Sequence, residues 1–126
     1  VDYKTGKVLD EDVDIHDGNA QSIADSIFAP DIKDRPKIAL QFYIYDMLLK
    51  NRKEAAGRAV YNCVYSHSRL FKEVPKSVPL NQTFYEAMTA HLTELLDELG
   101  DVNVGFRRTS ENSVCEYCDF RNICGR

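Results

Sequence analysis

The run Val1-Asp2-Tyr3-Lys4-Thr5-Gly6-Lys7 decides how the rest of this 126-residue chain is interpreted. Its first four residues predict the end of a strand, and Thr5-Gly6-Lys7 predicts the turn that closes it. Residues two apart on a strand project from the same face, so Asp2 and Lys4 would present a carboxylate and an ammonium group side by side. Such a pair can hold a divalent metal ion and stabilise charge on a phosphoryl group. A D-x-K tripeptide is common by chance, and the alternative is an exposed strand with one acid and one base.

The bulk composition is that of an ordinary globular chain, with 44% apolar and 29% charged residues. No run approaches the roughly 18 apolar residues that cross a bilayer, which excludes a membrane protein. We expect neither a signal peptide nor a transit peptide in these residues. We also expect a cytoplasmic location. The first residue is Val1 and not Met, which favours a fragment of a longer protein.

The charges are unevenly distributed along the chain, whose net charge is −4. Residues 1–34 hold nine acids and three bases, whereas residues 35–126 hold thirteen bases and eleven acids. The acidic excess therefore lies near the start, where metal chemistry requires carboxylates. The acidic run 10–17 is not an EF-hand loop, because Gly18 is out of register, and a solvated loop is the simpler interpretation.

Two segments before residue 51 carry structural signals. Leu9 to Lys33 predicts a long loop with one helical turn around 20–28. Asp34 is expected to cap a helix that has Pro36 in its first turn and runs to about Lys50. That helix is apolar nearly all round, which is typical of a helix buried on several sides.

The second half of the chain predicts a strand and an amphipathic helix. The strand covers Arg58 to Tyr65 and continues toward Phe71, with Cys63 as a small buried hydrophobe. After two prolines, residues 81–100 form a helix with Asn81 as its cap, and a short extended stretch follows around residue 106. His91 on the apolar stripe is interpreted as a packed or partly exposed residue and not as a ligand.

Two further patterns could carry chemistry. Gln41 and Tyr45 are four residues apart on one helix face. Alternatively, Gln41 is a polar residue that bonds a neighbouring backbone group, and Tyr45 is an aromatic residue of the core. Three cysteines near the end of the chain have C-x2-C-x5-C spacing: Cys115, Cys118 and Cys124. Their thiolates could bind one metal ion or cluster together, or the three thiols could remain reduced and only pack locally.

These three features, in this order, resemble the RecB/AddB-type branch of the PD-(D/E)XK nuclease superfamily. In that branch a strand carries D-Y-K-T-G, a following helix carries Q-x3-Y, and a C-terminal C-x2-C-x5-C helps to hold an iron–sulfur cluster. The resemblance implies an α/β, partial restriction-endonuclease-like core with a mixed sheet flanked by helices, and with its amino-terminal strands missing. It divides the chain into a strand–helix–strand core (1–80), an amphipathic helix with a linker (81–104) and a cysteine-cluster tail (105–126).

The resemblance also implies residue roles. Asp2, with the backbone carbonyl of Tyr3, would bind Mg²⁺ or Mn²⁺, and Lys4 would be the catalytic lysine. Gln41 and Tyr45 would line the active site and orient DNA or the lysine. An earlier strand supplies a second metal-binding Asp in the family, and no position of this chain can take that role. One carboxylate and one carbonyl make a poor Mg²⁺ site.

The cysteine tail has a similar gap. In the family, a fourth cysteine far upstream completes a 4Fe-4S cluster with the three counterparts of Cys115, Cys118 and Cys124. The spacing of Cys63 does not favour it as a substitute, and zinc is the alternative metal. Four arginines lie near the cysteines in the sequence, and they either contact phosphates or are solvated surface charges: Arg107, Arg108, Arg121 and Arg126.

The function that the resemblance implies is a metal-dependent DNA exonuclease module, fused to or partnered with a helicase, in double-strand break repair and recombination. The 126 residues alone are expected to be inactive, because their metal site is incomplete. They are also expected to self-associate through an open sheet edge. The alternatives are a non-catalytic nuclease-like scaffold and a zinc-binding interaction module.

Overall fold

A computed structural model describes residues 2–4, 8, 10–67, 71, 72, 74 and 77–125, and for residues 2–4 and 11 it describes the backbone. Within these ranges the chain forms three α-helices and three β-strands, together with short 3-10 helices at 10–12, 53–55 and 112–115. In chain order the elements are β1 (Asp2–Lys4), α1 (Ala20–Phe28), α2 (Lys37–Lys50), β2 (Asn62–Ser66), β3 (Ser77–Val78) and α3 (Gln82–Gly100). The fold is therefore α/β.

The three strands form one mixed sheet in the order β1-β2-β3. β1 runs parallel to β2, with Asp2 opposite Val64 and Lys4 opposite Ser66. β2 runs antiparallel to β3, with Asn62 opposite Val78. The strand predicted for the D-x-K motif is thus present, and the turn predicted at residues 5–7 lies outside the described residues.

β2 begins later than the predicted strand, whose start at Arg58 was wrong. The predicted continuation toward Phe71 falls partly on residues 68–70, which lie outside the described residues. β2 begins at Asn62, because residues 58–61 have no strand partner in the described chain and follow Gly57, which adopts a left-handed φ of 74°. It ends at Ser66, opposite the last residue of β1. β3 was not predicted, since its two residues carry no periodicity and only the pairing defines it.

The core lies mainly between α1 and α3, which pack against each other, with α2 contacting α1. α1 is a full nine-residue helix and not the single predicted turn. Its small residues Ala20 and Ala24 are fully buried, which lets α3 approach closely. The buried cluster consists of Ala20, Ala24, Ile27, Ala39, Tyr43, Phe84, Ala87 and Met88.

α2 differs from its prediction in its start and in its burial. It begins at Lys37 with Pro36 at the N-cap and no side-chain cap, so Asp34 is not the capping residue. A cap at Asp34 would place Arg35 in the first turn of the helix. Arg35 precedes Pro36, and the helical conformation is unfavourable for a residue that precedes a proline. The helix buries one side and leaves four large apolar residues 36–55% exposed, contrary to the expected all-round burial: Ile44, Tyr45, Leu48 and Leu49.

α3 follows its sequence prediction closely. Asn81 Oδ1 accepts a hydrogen bond from the Phe84 backbone N–H at 2.7 Å, which confirms the predicted cap. The helix extends through Gly100, and its first half supplies the buried side chains Phe84, Ala87 and Met88. Among the described helices, none combines the length and apolarity needed to cross a membrane.

The segment after α3 is irregular, and the predicted extended stretch around Phe106 forms no strand. It is tied back to the α1–α2 loop at residue Asp31, which has a positive φ of 62°. The Asp31 carboxylate accepts hydrogen bonds from the Thr109 hydroxyl, the Ser110 hydroxyl and the Ser110 backbone N–H. We call this set of contacts the Asp31 clasp. Lys33 adds an ion pair with Glu116 at 2.8 Å.

Candidate functional site

The D-x-K motif lies on a sheet-edge strand whose described neighbour is β2. The backbone of β1 places Asp2, Tyr3 and Lys4 in register with residues 64–66. The side chains of Asp2, Tyr3 and Lys4 lie outside the described residues. The structure therefore fixes the backbone positions of the motif, and the roles of these side chains stay predictions.

The strand beside the motif is polar where it is buried. Asn62 and Ser66 are 7% and 6% exposed, and they lie on the same face of β2 because they are four residues apart. Asn62 Nδ2 is buried without a hydrogen-bond partner among the described residues. Buried amide groups of this kind are rare in folded proteins. Cys63, on the opposite face, is half-buried and free, somewhat more exposed than predicted.

α2 presents Gln41 and Tyr45 one turn apart on the same side. Gln41 is half-buried, and Tyr45 is 41% exposed. Tyr43, at 2% exposure, is the core tyrosine of this helix, and its hydroxyl is hydrogen-bonded to Thr89. The alternative role of Tyr45 as a core aromatic is therefore not what the structure shows. Its exposed ring is available to a ligand.

The buried side of α2 holds an acid that the sequence did not single out. The Asp46 carboxylate is 3% exposed, and its Oδ2 lies 2.7 Å from Lys50 Nζ. The two groups are an ion pair by distance but lack hydrogen-bond geometry, so Asp46 Oδ2 is buried without a hydrogen bond to any residue that the structure describes. Lys50 also lies 4.2 Å from the centre of the Tyr85 ring on α3. This contact joins the end of α2 to α3 and so helps to hold the face that carries Tyr45.

The described residues do not complete a metal site. No group of three or more His, Cys, Asp or Glu side chains converges in the part of the chain that the structure describes. The predicted ligands, the Asp2 carboxylate and the Tyr3 carbonyl, are oxygen atoms of the kind that Mg²⁺ prefers. They are too few for octahedral coordination, so we assign no reaction step to a metal held by these residues alone.

The three tail cysteines are free, and they do not converge in the described structure. Cys115 and Cys118 are half-buried, whereas Cys124 is exposed. Consecutive turns hold this segment, including a hydrogen bond from the Cys118 N–H to the Cys115 carbonyl at 3.2 Å. This arrangement does not fit a preformed iron–sulfur or zinc site, and the predicted cluster stays a prediction.

The four arginines near the tail have different surroundings. Arg108 Nη1 donates to the Cys124 carbonyl at 2.6 Å, which commits that side chain to holding the tail. Arg107 lines a cleft of about 950 Å³ between the end of α3 and the segment that follows it. Arg121 is exposed, and Arg126 lies outside the described residues. Neither Gln41 nor Tyr45 lines that cleft.

The comparisons with known proteins give one family. A sequence model described as the PD-(D/E)XK nuclease superfamily matches residues 1–125. Neither the curated proteins nor the solved structures gave a match. Nucleases of this superfamily generally hydrolyse phosphodiester bonds and typically use Mg²⁺ or Mn²⁺. The match covers nearly every residue, including the motif strand, α2 and the cysteine tail, and the chain therefore belongs to the PD-(D/E)XK nuclease superfamily.

Proposed function

We propose that this chain is the carboxyl-terminal part of a RecB/AddB-type, metal-dependent DNA exonuclease domain that works with a helicase in double-strand break repair and recombination. The observation that carries the proposal is the order of its parts. A D-x-K strand pairs in parallel with β2, and α2, the second of the two helices between them, presents Gln41 and Tyr45 on one face. The cysteine tail follows with the spacing of that branch.

In this proposal each residue of the chain has a separate task. The Lys4 ammonium stabilises the negative charge that grows on the attacked phosphate. The Asp2 carboxylate and the Tyr3 carbonyl supply two of the oxygen ligands of the family's divalent ion. Gln41 and Tyr45 orient the DNA or the lysine. A carboxylate outside these 126 residues completes the site, and the 126 residues alone are inactive.

The test is cleavage of labelled linear DNA by the full-length protein that contains these residues, with and without Mg²⁺. Lys4→Ala should lower the rate by about 100- to 1000-fold, the usual cost of removing one charge-stabilising group. Lys72→Ala is the matched control, because Lys72 is exposed and lies outside β1 and α2. Its rate should equal that of the unmodified protein.

Two results contradict the nuclease proposal. Equal cleavage by the Lys4→Ala variant would remove the catalytic role of Lys4. A full-length protein without any Mg²⁺-dependent cleavage would instead favour the non-catalytic scaffold.

The isolated 126-residue chain provides a second arm of the same assay. We expect no cleavage above background, since the described residues hold no group of three metal ligands. Robust cleavage by the purified chain, abolished by Lys4→Ala, would show that its own residues complete the site. Stoichiometric zinc in the same preparation, with unfolding of a Cys115→Ser variant, would favour the zinc-binding module.

A further inference from the structure

The connection from α2 to β2 is rich in cations, although the chain as a whole is acidic. We call residues 51–58 the basic loop; its sequence is Asn-Arg-Lys-Glu-Ala-Ala-Gly-Arg. Three of its eight residues are basic and one is acidic. This is a local excess of two positive charges in a chain whose net charge is −4. Such an excess on one short surface segment attracts anions.

The cations of this loop have no partner among the described residues. The side chains of Arg52, Lys53 and Arg58 are exposed, and they make no hydrogen bond or ion pair with any residue that the structure describes. Lys33 and Arg35 behave differently, because they bind Glu116 and the Ala29 carbonyl. The basic loop therefore keeps its charge available for a ligand.

The loop also has an ordered backbone. The Arg52 N–H donates to the Leu49 carbonyl at 2.9 Å, and the Arg58 N–H donates to the Ala55 carbonyl at 3.0 Å. Gly57 makes the turn with its φ of 74°. Because the backbone is held by its own hydrogen bonds, less conformational entropy is lost when the loop binds a ligand.

The sheet topology places this loop beside the motif strand. β2 is parallel to β1, and Val64 lies opposite Asp2. Asn62 begins β2 two residues earlier, about 7 Å further along at the usual strand rise. The basic loop thus enters the sheet from the end at which Asp2 stands, and not from the Lys4 end.

We propose that the basic loop binds the phosphodiester backbone of DNA next to the D-x-K strand, through Arg52, Lys53 and Arg58. The choice of DNA as the ligand rests on the proposed nuclease function. A guanidinium group matches a phosphate with two parallel hydrogen bonds, and a lysine adds a point charge. Contacts of this kind position the duplex without reading its sequence.

The test is DNA binding measured without cleavage. The full-length protein binds a labelled duplex in EDTA, and the affinity is measured over a series of NaCl concentrations. Each phosphate contact adds about 0.9 to the magnitude of the slope of log affinity against log salt. The loop triple variant should lower that magnitude by about 2 to 3; it carries Arg52→Gln, Lys53→Gln and Arg58→Gln.

A second triple variant is the matched control, because it removes the same charge from exposed side chains outside the basic loop: Lys33→Gln, Arg35→Gln and Lys72→Gln. Its slope should match that of the unmodified protein. Circular dichroism should show unchanged helix content in both triples, since none of the six side chains is buried.

Two results overturn the inference. An equal fall in slope for both triple variants would mean that DNA binding does not depend on the basic loop in particular. If the unmodified protein does not bind the duplex, DNA is not the ligand of the loop. The cleavage assay is separate. If Lys4→Ala leaves cleavage unchanged while only the loop triple lowers the slope, the loop inference stands and the nuclease proposal fails. If cleavage depends on Lys4 but the loop triple has the same slope as the unmodified protein, the nuclease proposal stands and the loop inference fails.

Discussion

His91 lies at the contact between α1 and α3, where its ring stacks on Phe28 with 5.2 Å between the ring centroids. Its Nε2 is 2.8 Å from Asp25 Oδ1, and its Nδ1 is 3.5 Å from Glu94 Oε2. The imidazole thus combines an apolar contact with two carboxylate partners. This explains how a histidine is accommodated on the apolar stripe, and it agrees with the prediction of a packed or partly exposed residue.

The contact between His91 and Asp25 predicts that the protein loses stability at acidic pH. The hydrogen bond from His91 lowers the pKa of Asp25 below its ordinary value of 3.8, and a second hydrogen bond from Gln21 lowers it further. A carboxyl whose pKa is lowered by folding contributes stability above its unfolded value, and this contribution is lost as the pH falls through the folded value. Asp25→Asn should therefore melt at a lower temperature than the unmodified protein at about pH 5.

The difference between the two melting temperatures should shrink steadily as the pH drops below 3.8. Thermal unfolding followed by circular dichroism at a series of pH values measures it. Asp97→Asn serves as the control, because Asp97 lies on the exposed side of α3 and makes no hydrogen bond with a described residue. A constant difference from pH 5 down to about pH 2 would contradict the role of the pair.

Single residues were predictable from the sequence where the determinant was local. Asn81 was identified as a cap because its partner, the N–H of Phe84, is three residues away. The prediction that Asp34 caps α2 was wrong, because Pro36 disfavours the helical conformation of Arg35. Asp31 gave no sequence signal at all, since its partners Thr109 and Ser110 are almost eighty residues away.

At the scale of elements, the Asp31 clasp predicts how firmly the tail is held. Asp31→Gly keeps the positive φ without strain, because glycine adopts it freely, but removes the carboxylate that binds Thr109 and Ser110. We expect several-fold faster trypsin cleavage after Arg107 and Arg108, measured by mass spectrometry over a digestion time course.

The control for the clasp lies in the same loop. Asp34→Gly removes an exposed carboxylate that makes no hydrogen bond with a described residue. It should leave the cleavage rate unchanged. Equal acceleration by the two variants would show that loop flexibility, and not the clasp, controls access to the tail.

Helices were easier to predict than strands. The amphipathic stripe of α3 and the end of α2 at Lys50 both follow from local pattern. The strands depend on partners, so β2 extends only where β1 or β3 lies beside it. The exposed face of α2 was also missed, because an apolar sequence does not specify which sides find a partner.

At the scale of the molecule, the sheet order predicts self-association. Among the described strands, β1 and β3 are the two edges, and β1 pairs with β2 alone. An open strand edge exposes unpaired N–H and C=O groups and invites pairing with another chain. The isolated 126-residue chain should therefore show a sedimentation coefficient that rises with concentration.

The full-length protein is the control for this prediction, since further strands beside β1 would cover the edge. It should sediment without that rise. A strictly monomeric fragment at the highest accessible concentration would contradict the prediction. The candidate site was only partly predictable from the sequence. The sequence suggests its residues from local motifs, but their placement depends on the long-range pairing of β1 with β2. The roles of Asp2 and Lys4 stay predictions, because their side chains lie outside the described residues.

The parallel pairing of Asp2 with Val64 has a consequence for the order of folding. It joins residues about sixty positions apart, and closing a loop of that length costs roughly 3–4 kcal/mol of chain entropy. A three-residue strand recovers little of this cost by itself. The motif strand therefore joins the sheet late, after α1, α2 and α3 have collapsed together, and it is among the first segments to detach. The strand that carries the D-x-K motif therefore depends for its attachment on the elements that fold before it.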